Sequence, residues 1–436
     1  MFRPYQFCNL YSARTALLAF VLGGAGLSAC MAIAQPVATT ASAVAPSNVS
    51  FNIKTAFAAA WQRQPEAQSF GAFQAAAQER QRAADSFTAA PVSLGLSTKS
   101  DQLNQNQGSR EVELGVAVPL WWPGERTRAG SLAQAEGAAV TARLQAAQLR
   151  TAGAVRDAVW AWQRAQLDAA LAQDRLQAAQ VLAGDVAKRV AAGDLARADQ
   201  HQADGNVAAA QSGAIDSKSA LLGAVLQLRL LTGVAPPVEQ LNLTEATPKL
   251  EVSASASTIA AHAEVADYVA RAEIAKRNTD LAKVQQDGSP ELSIATTRDR
   301  GGFAEPYRQS LTIGVRVPFG SGARQRAKAA VASAEFLEQK VQANAVRDRV
   351  AAGIDAANQR LALSQQQQDT ANKRAQLATA SRGFVDKAFR AGEADLPKRL
   401  AAEREAAEAA SAAARAQIDV AAAVSALRQA LGLLPN

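Results

Sequence analysis

Residues 113–129 read ELGVAVPLWWPGERTRA, and residues 311–327 read LTIGVRVPFGSGARQRA. Each stretch opens with apolar residues alternating with polar or small ones, the period of a strand with two unlike faces. Each then passes through Pro and Gly into a helical pattern. Pro119 of the first stretch recurs as Pro318 of the second, an offset of 199 that also relates Pro91 to Pro290, Gly193 to Gly392 and Gly233 to Gly432. A register kept over such a distance marks two copies of one structural unit. Each copy reads as a helix, a β-hairpin, a very long helix, a glycine turn and a returning helix. The first copy spans 51–233, with its hairpin at 91–119 and its turn near Gly193. The second spans 255–436, with its hairpin at 290–318 and its turn near Gly392. Residues 234–254, with Pro236, Pro237 and Pro248, form a linker between them.

The first helix is expected from about Phe51 to Phe87. In the hairpins, Val92, Leu94 and Leu96 take one face of a strand, as do Val112, Leu114, Val116 and Val118 on its partner. Glu111, Glu113, Gly115 and Ala117 take the other face. Leu292 and Ile294, then Leu311, Ile313, Val315 and Val317, repeat the pattern. It fits a membrane β-barrel with aliphatic side chains toward lipid and polar ones toward a wet lumen; a soluble hairpin with one wet face has the same alternation. Trp121 and Trp122 follow the second strand, where indoles suit either a membrane interface or packing at a helix start. No proline interrupts Gly124–Ala192 or Phe319–Ala391. Either run as one helix would extend on the order of 100 Å at 1.5 Å per residue. Alanine dominates and aromatics are only 5% of the chain, which favours extended, closely packed helices in a coiled-coil-like wall over globular cores.

The N-terminus reads as an export signal: Arg3 and Arg14, a short apolar core from Ala16 to Leu22, then small residues. Leu27-Ser28-Ala29-Cys30 matches a lipoprotein box at the end of that core, making 1–29 the signal peptide, Cys30 the lipidated first residue and 30–50 a flexible tether. Ala32-Ile33-Ala34 before Gln35 offers a competing cleavage site. Cys8 and Cys30 are the only cysteines, so no disulfide frame is expected. His201 and His262 are far apart in sequence and are expected as polar helix-surface residues, with no metal site. The net charge of +7 is spread as basic residues interleaved with acids and forms no dense basic run, so nucleic acid is not an expected partner. No phosphate loop, nucleophile elbow or metal cluster is present in the motifs; no catalytic residue and no cofactor is expected.

Lys188, Gly193, Asp194 and Asp204 recur as Lys387, Gly392, Glu393 and Glu403. The glycines permit the left-handed turn that closes a helix. Asp194 and Glu393 place negative charge where the next helix begins. Asp204 and Glu403 each lie 11 residues beyond a turn glycine. They are candidates for a ring of carboxylates facing a lumen; on an outer helix face they would pair with basic neighbours such as Arg404.

In order and spacing, AAWQRQPEAQ (59–68), the two strand-to-helix stretches above, RVAAGDLARAD (189–199) and FRAGEADLPKR (389–399) resemble the TolC family of outer-membrane efflux factors. The resemblance covers nearly the whole mature chain. The segment PLWWPGERTR (119–128) further resembles the heavy-metal branch serving cobalt, zinc and cadmium pumps. The family implies a mostly α chain with a small β part: four transmembrane strands per chain, a homotrimeric twelve-stranded barrel in the outer membrane, and a long α-helical tunnel in the periplasm. It implies a passive duct that docks a periplasmic membrane-fusion adaptor at the tip formed by Gly193, Asp194, Gly392 and Glu393, and works with an inner-membrane pump of the resistance-nodulation-division type. One position departs from the pattern: the residue six past the turn glycine, acidic in some relatives, is Asp199 in the first copy but Lys398 in the second. A lipid-anchored periplasmic coiled-coil scaffold without a pore is the alternative.

Overall fold

The side-chain oxygen of Asn52 accepts the N–H of Thr55 at 2.7 Å, and the Thr55 hydroxyl accepts the N–H of Asn52 at 3.0 Å. This reciprocal cap satisfies two orphan donors and opens α1 (Ile53–Gln62). The sequence predicts one helix from Phe51 to Phe87, but the structure has two. Pro65 lacks an N–H and holds Gln64 in extended backbone with ψ 136, so the first helix stops and α2 (Pro65–Asp85) begins on the proline.

The computed structural model describes residues 51–237, 243–248, 255–320 and 322–436. The expected signal peptide, Cys30, the tether and most of the linker lie outside the described residues. After α2 come β1 (Ser93–Ser100), β2 (Arg110–Pro119), α3 (Glu125–Ala191) and α4 (Arg197–Thr232). The second half has α5 (Ala256–Ala261), α6 (Ala263–Ala282), β3 (Glu291–Arg300), β4 (Arg308–Arg316), α7 (Gly322–Arg390) and α8 (Leu396–Ala430).

The strands form one antiparallel sheet in the order β1-β2-β3-β4. The β2–β3 pairing, running from Arg110↔Arg300 to Pro119↔Glu291, joins the two halves of the chain and leaves β1 and β4 as edges. Helices α3 and α7 contain 67 and 69 residues, each on the order of 100 Å long. The return helix α4 lies along α3, and α8 lies along α7. Between the halves, α6 packs on both α3 and α7, and α8 reaches α3.

Buried alanines such as Ala146, Ala147, Ala152, Ala406 and Ala409 line the helix contacts. They lose no side-chain entropy on packing. Larger residues gather at mid-height. Trp162 packs with Ile53, Val155, Val159 and Leu228 in the first half, and Ile354 with Val265, Val350 and Leu427 in the second. Gly233 and Gly432 end the return helices at φ 78 and 75, and a Cβ on either would stand 2.9 Å from the side chain of Arg63 or His262 respectively. His262 therefore departs from the surface position expected for it: it is 5% exposed at the α5–α6 junction. His201 is exposed on α4.

Candidate functional site

The register assigns every strand residue to a face. Leu94, Val116, Ile294 and Ile313 lie side by side across all four strands; Leu96, Leu114 and Leu311 fill the next row with Thr296. Ser93, Ala117, Ser293 and Gly314 form a row on the opposite face, and Lys99, Glu111, Asp299 and Arg308 another. The aliphatic face is the open one: Leu94 is 72% exposed and Ile313 66%, whereas Glu111, Glu113 and Ala295 on the polar face are half-buried or buried. A water-soluble sheet hides its aliphatic face. In its two central strands this sheet does the reverse: the polar face is the more covered one, with small residues (Gly95, Gly115, Ala295) in one row across it, while β1 and β4 are largely exposed on both faces.

The sheet is tied to the helices at its feet. The Trp121 indole donates to the Ser86 carbonyl at 3.1 Å, and the Trp122 indole to the Gly288 carbonyl at 2.8 Å. Both rings are half-buried and clamp the segments that enter the sheet from α2 and α6. Among the described residues no helix is long and apolar enough to cross a membrane, and no group of three or more His, Cys, Asp or Glu is placed to hold a metal ion.

At the opposite end of the long helices, the two turns close alike. Gly193 donates to the Val190 carbonyl at 3.0 Å and Asp194 to the Arg189 carbonyl at 2.9 Å; Gly392 donates to Phe389 at 3.2 Å and Glu393 to Ala388 at 2.9 Å. This is the paired hydrogen-bond pattern of a left-handed helix stop, and both glycines have positive φ, 83 and 79. A Cβ on either would meet nothing within 4 Å, so the turn surfaces are open. Asp194 and Glu393 thus close the outgoing helix through their backbones. The carboxylates that cap the return helices are others. The Asp199 side chain accepts the Ala196 N–H at 3.1 Å, and the Asp395 side chain accepts the Lys398 N–H at 3.1 Å. The departure at Asp199 and Lys398 is therefore an exchange of capping position, with Asp395 taking over in the second copy. Sequence reasoning passed over Asp395, although Asp before Leu-Pro is a helix-start signal. It also missed the cluster behind the turns, where Phe389 is buried against Leu182, Val186, Leu396 and Leu400, with the guanidinium groups of Arg189 and Arg399 each 4.8 Å from its ring.

The two candidate ring carboxylates have different surroundings. Glu403 lies 3.6 Å from Arg382 of α7, while Asp204 is exposed on α4.

A third cluster, at mid-height, was not anticipated. The Arg156 guanidinium donates both ways to Glu245, at 2.8 and 2.9 Å, and to the Gln429 side chain at 2.6 Å. Arg428 lies 3.3 Å from the same carboxylate and donates to the Ala246 carbonyl at 3.0 Å. The three charged side chains are 3%, 6% and 6% exposed. Burial alone would push the Glu245 carboxyl up; the hydrogen bonds from Arg156 and the charges of both arginines outweigh it and hold the carboxyl below its ordinary value. The cluster fastens one short piece of the linker to α3 and α8. Nothing in the linker's composition marks Glu245, because the linker has no period from which to read a face.

No protein-family model and no curated protein matches this sequence. Solved structures do. The outer membrane protein VceC of Vibrio cholerae superposes with a TM-score of 0.72, covering 87% of this chain and 96% of its own at 18% identity. CusC gives 0.75, covering 88% and 92% at 15% identity. The fold is that of the TolC-type outer-membrane channels. The MtrE outer membrane channel of Neisseria gonorrhoeae, in its open state, has the same TolC-type build, with a TM-score of 0.71 over 88% of this chain and 89% of its own at 16% identity.

Proposed function

We propose that this protein is the outer-membrane component of a tripartite efflux system: a non-enzymatic duct whose sheet closes into a barrel with other copies and whose helices form a tunnel in the periplasm. The observation that carries the reading is the inverted sheet, aliphatic outside and polar inside, standing on helices on the order of 100 Å long. A lipid-anchored scaffold without a pore has no use for such a face. Four strands fall short of the roughly eight that a membrane barrel needs, so copies must combine; three chains would supply twelve.

The two halves of the chain support the way copies join. Ser425 on α8 is 1% exposed and Gln429 donates to the Leu149 carbonyl of α3 at 2.8 Å. Subtracting 199 leads to Leu226 and Leu230 on α4, which are 56% and 77% exposed. The junction that α8 makes with α3 inside the chain is thus missing its counterpart, α4 against α7 of the next copy, just as the edges of β1 and β4 lack a partner strand. The internal contact Arg164–Asp419, at 2.8 Å, maps by the same offset to Leu363 and Ala220 (164+199 and 419−199). A chain with Ala220→Cys and Leu363→Cys, treated with a short thiol-reactive crosslinker in membranes, is expected to yield a covalent species of three chains that neither single variant yields; wild type controls for Cys30. Recovery of monomer alone, or of a ladder beyond three, counts against a closed trimer.

The open turns at Gly193–Asp194 and Gly392–Glu393 are the surface proposed for the periplasmic adaptor, with a resistance-nodulation-division pump beneath it in the inner membrane. The likeness of residues 119–128 to the heavy-metal branch supports divalent metal cations as cargo, and the lipoprotein box supports a lipid on Cys30. The cargo and the role of the turns can be read in one complementation experiment in an efflux-deficient strain carrying the cognate pump and adaptor. Wild type should restore growth on zinc, cobalt or cadmium. Gly193→Pro with Gly392→Pro should not, because proline cannot adopt positive φ, while the trimer on a gel stays intact. Full restoration by the variant would reduce the turns to connectors.

A further inference from the structure

The outward face of the sheet changes character at its far end. Beyond the aliphatic rows it carries Arg298 and then Arg300, which the register sets beside Arg110, and Tyr307 stands at the foot of β4. The Arg298 and Arg300 guanidinium groups lie 4.7 and 4.8 Å from the centre of the Tyr307 ring, so one ring holds both. Arg300 is further fixed by donating its Nε–H to the Gly108 carbonyl at 3.0 Å, and Phe303 lies beside it at 5.5 Å. Arg110 is neutralised by Asp101 at 2.6 Å. Among the described residues Arg298 and Arg300 have no carboxylate within ion-pair distance; the nearby Arg308 pairs with Glu305. Two guanidinium groups without a carboxylate partner thus lie within 5 Å of the centre of one exposed tyrosine ring.

Their level is informative. From the row of Val118, Leu292 and Val315 to the row of Val112 and Arg298 is six residues, about 20 Å along the strand. Trp121 lies three residues beyond Val118. The path from indole to arginine is then about 30 Å, or about 23 Å after the tilt of a barrel strand, close to the roughly 25 Å apolar band of outer-membrane barrels. Arg298, Arg300 and Tyr307 therefore fall where hydrocarbon gives way to headgroups, on the side away from the helices.

We propose that Arg298 and Arg300, held by Tyr307, form a binding site for the phosphate groups of outer-leaflet lipid. Guanidinium matches phosphate oxygens with two parallel N–H donors, and the contact with the Tyr307 ring restrains both guanidinium groups before the lipid arrives. The site rests on the channel reading, since it needs this face against a bilayer.

The test uses the full chain, purified as its oligomer in a neutral detergent, and native mass spectrometry with three probes: dioleoyl phosphatidic acid, dioleoylglycerol and inorganic phosphate. Wild type is expected to bind phosphatidic acid at least tenfold more tightly than dioleoylglycerol, with millimolar inorganic phosphate failing to displace it. Arg298→Gln with Arg300→Gln should lose that preference. Arg308→Gln, on the opposite face, should keep it. An undiminished preference in the double variant overturns the site, and so does displacement by inorganic phosphate, which would make it a free-anion site. The channel reading is checked apart from this: wild type recovered from cells without detergent would sink both, whereas a detergent-requiring oligomer with an unchanged preference sinks the lipid site alone.

Discussion

Glu245→Ala is expected to lower the stability of the folded chain by about 3–5 kcal/mol, the cost of leaving buried charge uncompensated. Glu245 answers both Arg156 and Arg428, and all three side chains are almost fully buried. Removing the carboxylate leaves two buried guanidinium groups with no counter-charge and takes away the linker's ion pairs to α3 and α8. Thermal unfolding followed by circular dichroism, at one protein concentration for both proteins, reads the change. A second variant separates charge from structure: Arg156→Met, Glu245→Leu and Arg428→Met together should recover much of the loss, since replacing a whole buried ionic cluster by apolar groups is often neutral. An unaltered transition in Glu245→Ala would mean that the linker is held by something other than this cluster.

The same residue sets a pH dependence with a definite sign. The Glu245 carboxyl is held below its ordinary value of 4.5 in the folded chain. The unfolded chain therefore binds more protons between the two values, and the contribution of Glu245 is full above about 4.5 and fades as pH falls. Burial also holds the His262 imidazole below its ordinary 6.5, against the opposing charge of Glu264 and the Gln429 backbone. Its contribution fades over a higher window, from about 6.5 downward. The stability gap between wild type and Glu245→Ala should accordingly hold from neutral pH to about 5 and shrink below 4.5, while the shallow loss that begins near 6.5 should be common to both.

The parts of the fold legible in the sequence were those with a period. Alternation in residues 112–118 and 311–317 marked the strands and their faces, and the absence of proline across 124–192 marked a helix that the structure runs from Glu125 to Ala191. The turn glycines were legible because positive φ leaves few other choices. What escaped was set by single residues or by contacts distant in sequence. Pro65 divides the first helix, and its signal was present in the sequence. Asp395 replaces Asp199 as a cap only because the copies have drifted apart. The Phe389 cluster and the Arg156–Glu245–Arg428 cluster join residues that lie far apart along the chain, and no local pattern announces such a meeting.

Ile313→Arg is expected to abolish membrane assembly. Ile313 lies in the row of Leu94, Val116 and Ile294, with aliphatic rows on both sides, and is 66% exposed on the outward face. An arginine near the middle of a barrel's lipid face costs roughly 2–4 kcal/mol, so three copies in one ring add up to about 6–12 kcal/mol. That is comparable to the whole stability of a typical fold. The neighbouring Thr312 points to the other face, beside Ala295, and gives the control. Thr312→Arg places the same charge, one residue away, in a wet lumen, where it should alter ion selectivity and leave the oligomer intact. Outer-membrane fractionation with unheated and heated gel samples distinguishes the two. The expected result is a heat-sensitive oligomer in the membrane fraction for wild type and Thr312→Arg, and none for Ile313→Arg. Assembly of Ile313→Arg at the wild-type level would mean that the aliphatic face meets protein rather than lipid, and the channel reading would lose the observation it rests on.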